Sequence, residues 1–154
     1  MIKLDNVNQL QKEYSLISKT KIRGNNSKPR YRLDVTLEIQ LSNGMNIEIP
    51  KGFQWDLSTV PRFAWSILAP DGDFELAYLI HDYLWINKEE MYEFFEYYDC
   101  VFNQKFTDDE MLKWAKVTNG TDAFWSFRNF DNYSRYYGVR GFGWLVWNDI
   151  IILE

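Results

Sequence analysis

The sequence is poor in the two residues that build zinc sites and disulfide frameworks. Its 154 residues contain one cysteine, Cys100, and one histidine, His81. A single cysteine forms no internal disulfide, so we expect the chain to fold without an oxidising compartment. A helix-borne HExxH site, a histidine-rich nuclease centre and Cys-His zinc modules all need more of these ligands. The composition therefore argues against zinc as a cofactor.

The sequence also lacks long apolar runs and an excess of positive charge. No run approaches the roughly 20 apolar residues that cross a bilayer, and the start, MIKLDNVNQL, has neither the basic end nor the apolar stretch of a signal peptide. We therefore expect no membrane span and no secretion through a signal peptide. The 22 acidic and 17 basic residues give a net charge of −5, which argues against nucleic acid as a partner.

What the chain does have is many aromatic side chains and the length of one domain. Phe, Tyr and Trp make up 18% of its residues, enough for a large buried area or a binding face. The length predicts a single domain over residues 1–154. It divides into a β meander at 1–53, a helical region at 54–120 and an aromatic C-terminal region at 121–154. Strands followed by helices predict an α+β fold, a small antiparallel meander and then a helical bundle.

Alternating apolar and polar residues predict the strands of the meander. Over Tyr31–Leu41 every second residue is apolar, which is typical of one half-buried strand. Asn43 and Gly44 favour a tight hairpin turn with positive φ angles, and the alternation then resumes up to Pro50. The β-rich stretch Tyr14–Arg23 predicts a third strand.

Turn residues and apolar residues at i, i+3 and i+4 spacing predict four helices after the strands. In the helix predicted over Lys88–Phe102, the glutamates lie mostly away from the apolar positions. The predicted helices run from Pro61 to just before Pro70, over Phe74–Ile86, over Lys88–Phe102, and from a Thr-Asp-Asp-Glu capping box at Thr107 to Asn119.

The histidine lies in the second of these helices and is followed by Asp82. The apolar pattern places His81 and Asp82 at the edge of the inward face. Adjacent helical side chains diverge by about 100°, so Asp82 is poorly placed to bond the neighbouring ring, and Asp108 or Asp109 on the fourth helix is expected to orient it. Such a histidine can act as general base on water, with Asp82 free to bind a hard cation. The alternative is a partly buried structural histidine beside a surface acid.

Several short segments follow one another in a recognisable order. They are IPKGFQWDLSTVPR at 49–62, WSIL at 65–68, LIHDYLW at 79–85, KFTDD at 105–109 and VRGFGW at 139–144. This order, over roughly residues 31–147, resembles an uncharacterised family found mostly in tailed bacteriophages and prophages, domain of unknown function 1353. The resemblance implies a phage-encoded protein of the bacterial host cytoplasm or the virion. Its implied partners are other phage structural proteins or further copies of itself.

Two features depart from the pattern of that family. Trp85 stands where the family usually has Tyr, which removes a hydroxyl but keeps an indole N–H donor. Residues 87–104 look like an inserted helix between the His-Asp helix and the acidic one. Either departure can mark a structural copy without activity.

The histidine, the aspartate after it and an acid from another helix also resemble the active-site helix pair of phospholipase A2. That resemblance implies a small hydrolase in which His81 is the general base, Asp82 binds calcium and Asp109 orients the histidine. Asp108 is the other acid expected within reach of this role. The implied substrate is an envelope lipid or another ester.

A polar cluster at the turn between the strands and the helices is a second candidate for function. Asp56, Ser58 and Arg62 can converge on the His81 helix and, with Trp85, line a polar binding cleft. The simpler interpretation is that Asp56 and Ser58 bond backbone N–H groups where a helix begins.

Aromatic residues and arginines are mixed between Phe124 and Trp147. Such a mixture is typical of stacking platforms for bases, and equally of aromatic cores and protein interfaces. The acidic net charge favours packing or an interface. Together with this preference, the resemblance to the phage family implies a phage-encoded accessory or virion-associated protein with a structural or interaction role. The alternative is a small His-Asp hydrolase.

Overall fold

The computed structural model describes residues 1–13, 17–23, 29–55 and 75–118, and the single positions 133, 136, 137, 140, 141, 144, 147 and 148. The chain divides into two compact units, Met1–Asp56 and Leu57–Glu154, and each is described by itself. Short antiparallel strands in the first unit and helices in the second confirm the α+β prediction. The single domain over 1–154 stays a prediction.

The first unit contains one short helix and two small antiparallel sheets. One sheet has three strands in the order β1-β2-β5, and the other consists of β3 and β4. The helix was not predicted, because its seven residues carry no long apolar stripe. The elements are α1 (Val7–Glu13), β1 (Lys19–Arg23), β2 (Pro29–Leu33), β3 (Leu37–Gln40), β4 (Asn46–Ile49) and β5 (Gln54–Trp55).

The stretch Tyr31–Leu41, predicted as one strand, is two strands that belong to different sheets. Its apolar residues are buried on both sides of the break, but Val35 within the break is 40% exposed. Asp34 leaves the strand pattern and accepts hydrogen bonds from the Thr20 hydroxyl at 3.0 and 3.1 Å. A period of two in the sequence reports which side chains are buried, and it carries no information on which strand each residue pairs with.

The hairpin of β3 and β4 is confirmed, with a different turn. The Gly44 N–H donates to the Leu41 carbonyl at 2.9 Å, and the Leu41 N–H donates to the Met45 carbonyl at 2.8 Å. Gly44 has a φ of +87°, whereas Asn43 does not have a positive φ. These bonds define a three-residue loop with a glycine bulge, in place of the predicted two-residue turn.

Strand β5 was not predicted, because the residues after Gly52 were assigned to helices. Gly52 has a φ of +91°, and its N–H donates to the Leu33 carbonyl at 2.7 Å. The Leu33 N–H donates in turn to the Phe53 carbonyl at 2.8 Å. This turn places Trp55 beside Tyr31, with ring centroids 5.7 Å apart, and both side chains are buried.

The second unit is helical in its described part and consists of α2 (Glu75–Ile86), α3 (Lys88–Tyr97) and α4 (Gln104–Thr118). Helices α2 and α4 pack together, and α2 also contacts α3. The beginnings of α2 and α3 agree closely with the prediction. The predicted helix from Pro61 lies outside the described residues. Among the described residues, no helix is both long and apolar enough to cross a membrane.

The predicted capping box at the start of α4 was wrong. The helix begins at Gln104, and the Asn103 side-chain oxygen accepts the N–H of Phe106 at 2.8 Å, so Asn103 is the capping residue. Thr107 and Glu110 are fully buried inside the helix. The Thr-x-x-Glu spacing is not specific to a capping box, because threonine and glutamate also occur inside helices when a hydrogen bond satisfies each side chain. Here Thr107 bonds the Asn103 carbonyl and Glu110 bonds the Trp114 indole.

Candidate functional site

His81 lies in the middle of α2 and is 1% exposed. Its Nε2 atom is 3.0 Å from Oδ1 of Asp108, in the first part of α4. Its Nδ1 atom is 3.6 Å from Oδ1 of Asp82, an ion-pair distance that exceeds a direct hydrogen bond. Asp82 and Asp108 are 2% and 0% exposed. Both ring nitrogens of the histidine therefore face buried carboxylates.

The Asp108 carboxylate contacts a second cation. Its Oδ2 atom lies 3.4 Å from Nη1 of Arg140, in the C-terminal region, while its Oδ1 atom faces His81. The described positions of that region from 133 to 147 have helical backbone. One buried carboxylate thus connects α2, α4 and the C-terminal region.

The two carboxylates set the charge of the histidine. Burial alone would lower the pKa of His81, but the hydrogen bond to Asp108 and the nearby Asp82 carboxylate outweigh it and raise the pKa to about 9. At neutral pH the ring is therefore an imidazolium whose Nε2–H donates to Asp108. The cationic ring of His81 and the partly exposed guanidinium of Arg140 offset the cost of burying the charge of Asp108.

Asp109 does not contact the histidine ring. Its carboxylate bonds Lys105 one turn earlier and accepts the Tyr136 hydroxyl at 2.7 Å. Burial opposes ionisation of Asp109, but the bonds from Lys105 and Tyr136 prevail and lower its pKa. Burial, and after it the bond to Asp109, raises the pKa of Tyr136 to about 12. The orienting role that the phospholipase resemblance gave to Asp109 is taken, by position, by Asp108.

The described residues around Asp82 do not fit a calcium ion. Calcium takes six to eight oxygen ligands, and the positively charged His81 ring would repel it. Within the described part of the chain, no group of three or more His, Cys, Asp or Glu residues is arranged to hold a metal ion. The tentative assignment of Asp82 as a calcium ligand therefore gains no support here.

Trp85, one turn after His81, packs against the histidine ring with centroids 5.3 Å apart. Its other neighbour is Trp147, at 4.9 Å in an edge-to-face arrangement. Trp147 also donates its indole N–H to the Tyr92 hydroxyl at 3.2 Å. Trp85 is buried, so this predicted binding residue seals one side of the histidine.

The other predicted binding residues, Asp56, Ser58 and Arg62, lie outside the described residues. The sequence analysis missed Arg140 as a partner of Asp108. Arg140 was noted as one of the arginines mixed with aromatic residues and was interpreted as part of packing or an interface, not as the partner of a buried acid. It also missed that Glu110 is buried, where its carboxylate accepts the Trp114 indole N–H at 2.9 Å.

One comparison with known proteins gave a match, to a family model. The model of one family, described as "Protein of unknown function (DUF1353)", matches residues 31–119, more than half of the chain. Neither curated proteins nor solved structures gave a match. The matched stretch includes His81, Asp82 and Asp108, and it ends before Arg140. The chain therefore belongs to the family described as protein of unknown function DUF1353.

Proposed function

We propose that the chain is a bacteriophage-encoded accessory or virion-associated protein with a structural or interaction role. In this proposal the His-Asp helix serves packing and not catalysis. The phage origin is supported by the order of segments that resembles a family of tailed phages and prophages. The structural role is supported by one observation above all, the position of the His81 ring between two buried carboxylates.

A general base needs one ring nitrogen held by an acid and the other open to water or substrate. In His81 the nitrogen that would accept the proton faces Asp82 at 3.6 Å, and the ring is 1% exposed. The ring already carries a proton at neutral pH because its pKa is raised to about 9. A protonated, enclosed imidazole joins helices well and cannot remove a proton from water.

The alternative is a hydrolase in which His81 and Asp108 form a catalytic dyad. The 3.0 Å contact between them is the single observation in its favour. This alternative requires the ring to be neutral near pH 7 and to become accessible to solvent.

NMR of the single histidine separates the two proposals, because one His gives one set of imidazole signals. We expect both ring nitrogens to be protonated at pH 7, titration near pH 9, and no response to added calcium. A ring that is neutral at pH 7, or whose signals shift with calcium, would support the hydrolase instead. The Asp109→Asn variant is the matched control, since Asp109 does not touch the ring and its loss should leave the titration in place.

The virion-associated role is tested by the copy number of the protein in purified phage particles. A fixed number of copies per particle, retained after washing in high salt, supports it. Absence from particles, with the protein found in infected cells alone, counts against virion association and leaves an accessory role.

A further inference from the structure

We propose that the end of α3 is a docking surface for a basic segment of a partner protein. This inference rests on the proposed interaction role and names the chemistry of the partner. The surface, called here the α3 tip, consists of Phe94, Tyr97, Tyr98 and Val101 with the acidic residues beside them.

The α3 tip exposes large apolar side chains next to a well-packed core. Tyr97 is 82% exposed, Val101 75% and Tyr98 56%, whereas Phe95 of the same helix is fully buried. Phe95 packs against Phe102 at 4.9 Å between centroids. The inward face of α3 is thus already satisfied, and the exposed rings are not needed to hold the helix in place.

The exposed rings form a contiguous patch. Tyr98 contacts Tyr97 with centroids 5.0 Å apart and Phe94 at 5.2 Å, both edge to face. Tyrosine presents a large contact area at a low cost in side-chain entropy and is enriched among the residues that dominate binding energy. Neighbouring exposed apolar residues of this kind mark interaction sites more often than scattered ones do.

The backbone fixes the patch in position. Helix α3 ends in a Schellman motif, in which the Cys100 N–H donates to the Phe95 carbonyl at 2.9 Å and the Asp99 N–H donates to the Glu96 carbonyl at 3.0 Å. Asp99 adopts a φ of 54°, which glycine takes more readily. The chain turns at Asp99 and Cys100, so Val101 follows Tyr98 by three residues across this turn.

The negative charge of α3 indicates which kind of partner segment binds the α3 tip. Residues 88–99 contain five acidic residues and one lysine, Lys88, a net charge of −4 out of −5 for the whole chain. Lys88 donates to the Trp147 carbonyl at 3.0 Å. Within the described part of the chain, none of the five acids forms an ion pair. They are Glu89, Glu90, Glu93, Glu96 and Asp99, all exposed.

Glu93, Glu96 and Asp99 lie within one helical turn of the exposed tyrosines, and this acidic rim is complementary to arginine and lysine. Cationic side chains can pair with the carboxylates and stack on the tyrosine faces. The same rim repels a second copy of itself and anionic lipid. The fitting occupant is therefore a basic, partly apolar segment of another protein.

The test uses the full chain and two synthetic peptides, one alternating arginine with leucine and one with glutamate in place of arginine. We expect the arginine peptide alone to bind, with amide shifts concentrated at Tyr97, Tyr98 and Val101. The Tyr97→Ser/Tyr98→Ser double variant should bind about tenfold more weakly. The Glu93→Gln/Glu96→Gln variant should lose most of the salt dependence of binding.

Tyr137→Ser is the matched control, because Tyr137 is also exposed and lies in the C-terminal region. Its affinity for the arginine peptide should equal that of the unchanged chain. Shifts spread over acidic residues throughout the molecule, or equal binding by the double variant, would overturn the proposal. Self-association that disappears in the double variant would also overturn it, since the occupant would then be a second copy.

The failure of this inference can be told apart from the failure of the proposed function. If particles contain the chain and retain the Tyr97→Ser/Tyr98→Ser variant equally well, the docking surface is wrong and the virion role stands. If the unchanged chain is absent from particles but binds the arginine peptide through these tyrosines, the surface stands and virion association fails.

Discussion

At the scale of single residues, the histidine is defined by what surrounds its ring. An imidazole between two carboxylates gains a proton, whereas the same ring in an apolar pocket would lose one. Asp108 is the more informative partner, because its two oxygens contact His81 and Arg140 separately. Removing its charge takes from Arg140 its bonded carboxylate and leaves the buried His81 ring with Asp82 as its one neighbouring carboxylate among the described residues.

We therefore expect Asp108→Asn to lower the free energy of unfolding by about 3–5 kcal/mol, the usual cost of breaking a buried ion pair on one side. Asp109→Asn is the control, because it removes the same carboxylate charge from the next residue of α4. The Asp109 side chain is 30% exposed and pairs with Lys105. That control should lose at most about 1 kcal/mol. Urea denaturation measures both, and equal losses would contradict the assigned role of Asp108.

The sequence narrowed the partner of His81 to two adjacent acids and could not choose between them. Successive residues on a helix point about 100° apart, so the choice depends on how α4 is rotated against α2. The start of α4 offered a guide to that rotation, but Thr107 was taken for a cap when Asn103 is the cap. The contact of Arg140 with Asp108 was not predicted, because the arginines between Phe124 and Trp147 were interpreted as part of packing or an interface.

At the scale of elements, turns decide where helices and strands end. Asp99 holds a φ of 54° at the end of α3, a conformation that costs most residues about 1 kcal/mol relative to glycine. We expect Asp99→Gly to raise the free energy of unfolding by about 0.5–1 kcal/mol. Asp99→Ala removes the same charge without easing the backbone, so it should bring no gain. Equal gains in thermal unfolding would point to charge repulsion and not to φ.

In the β3–β4 hairpin, the positive φ belongs to a glycine, Gly44, so here a substitution would introduce a side chain at a positive φ. A Cβ added there meets no atom within 4 Å, so the φ of +87° is the whole cost of a side chain. We expect Gly44→Ala to lower the free energy of unfolding by about 1–2 kcal/mol. Gly141 is also free of neighbours within 4 Å but has helical backbone, so Gly141→Ala should stabilise instead. Loss of stability in both variants would mean that crowding, and not φ, is responsible.

Element types were more predictable than element partners. The hairpin and the beginnings of α2 and α3 follow from apolar periodicity and turn residues, which are local signals. Strand β5 has two residues and depends on a bond between Gly52 and Leu33, which no local pattern reports. The sequence thus predicted the α+β class correctly but joined β2 and β3 into one strand.

At the scale of the whole molecule, the charged histidine couples stability to pH. The folded chain holds the His81 proton up to about pH 9, whereas an ordinary histidine in the unfolded chain releases it near 6.5. This stabilisation is complete below pH 6.5 and is lost as the pH rises through 9, because the unfolded state then binds fewer protons than the folded one. We expect the free energy of unfolding to fall by a few kcal/mol over that interval.

Chemical denaturation at a series of pH values measures this loss. The His81→Gln variant keeps a polar side chain but no titrating ring, so its stability should change much less over the same interval. Stability that is constant or rises from pH 6.5 to 9 in the unchanged chain would show that the buried ring is neutral.

The interruption at Asp34 has an evolutionary consequence. Strand β2 pairs with β1 and β5, whereas β3 pairs with β4. The register of neither sheet therefore depends on the number of residues between β2 and β3. A one-residue insertion in an unbroken strand would turn its apolar side outward, but here it would only lengthen a joint. Length variation among relatives should therefore be tolerated at this joint and be rare inside the strands that flank it.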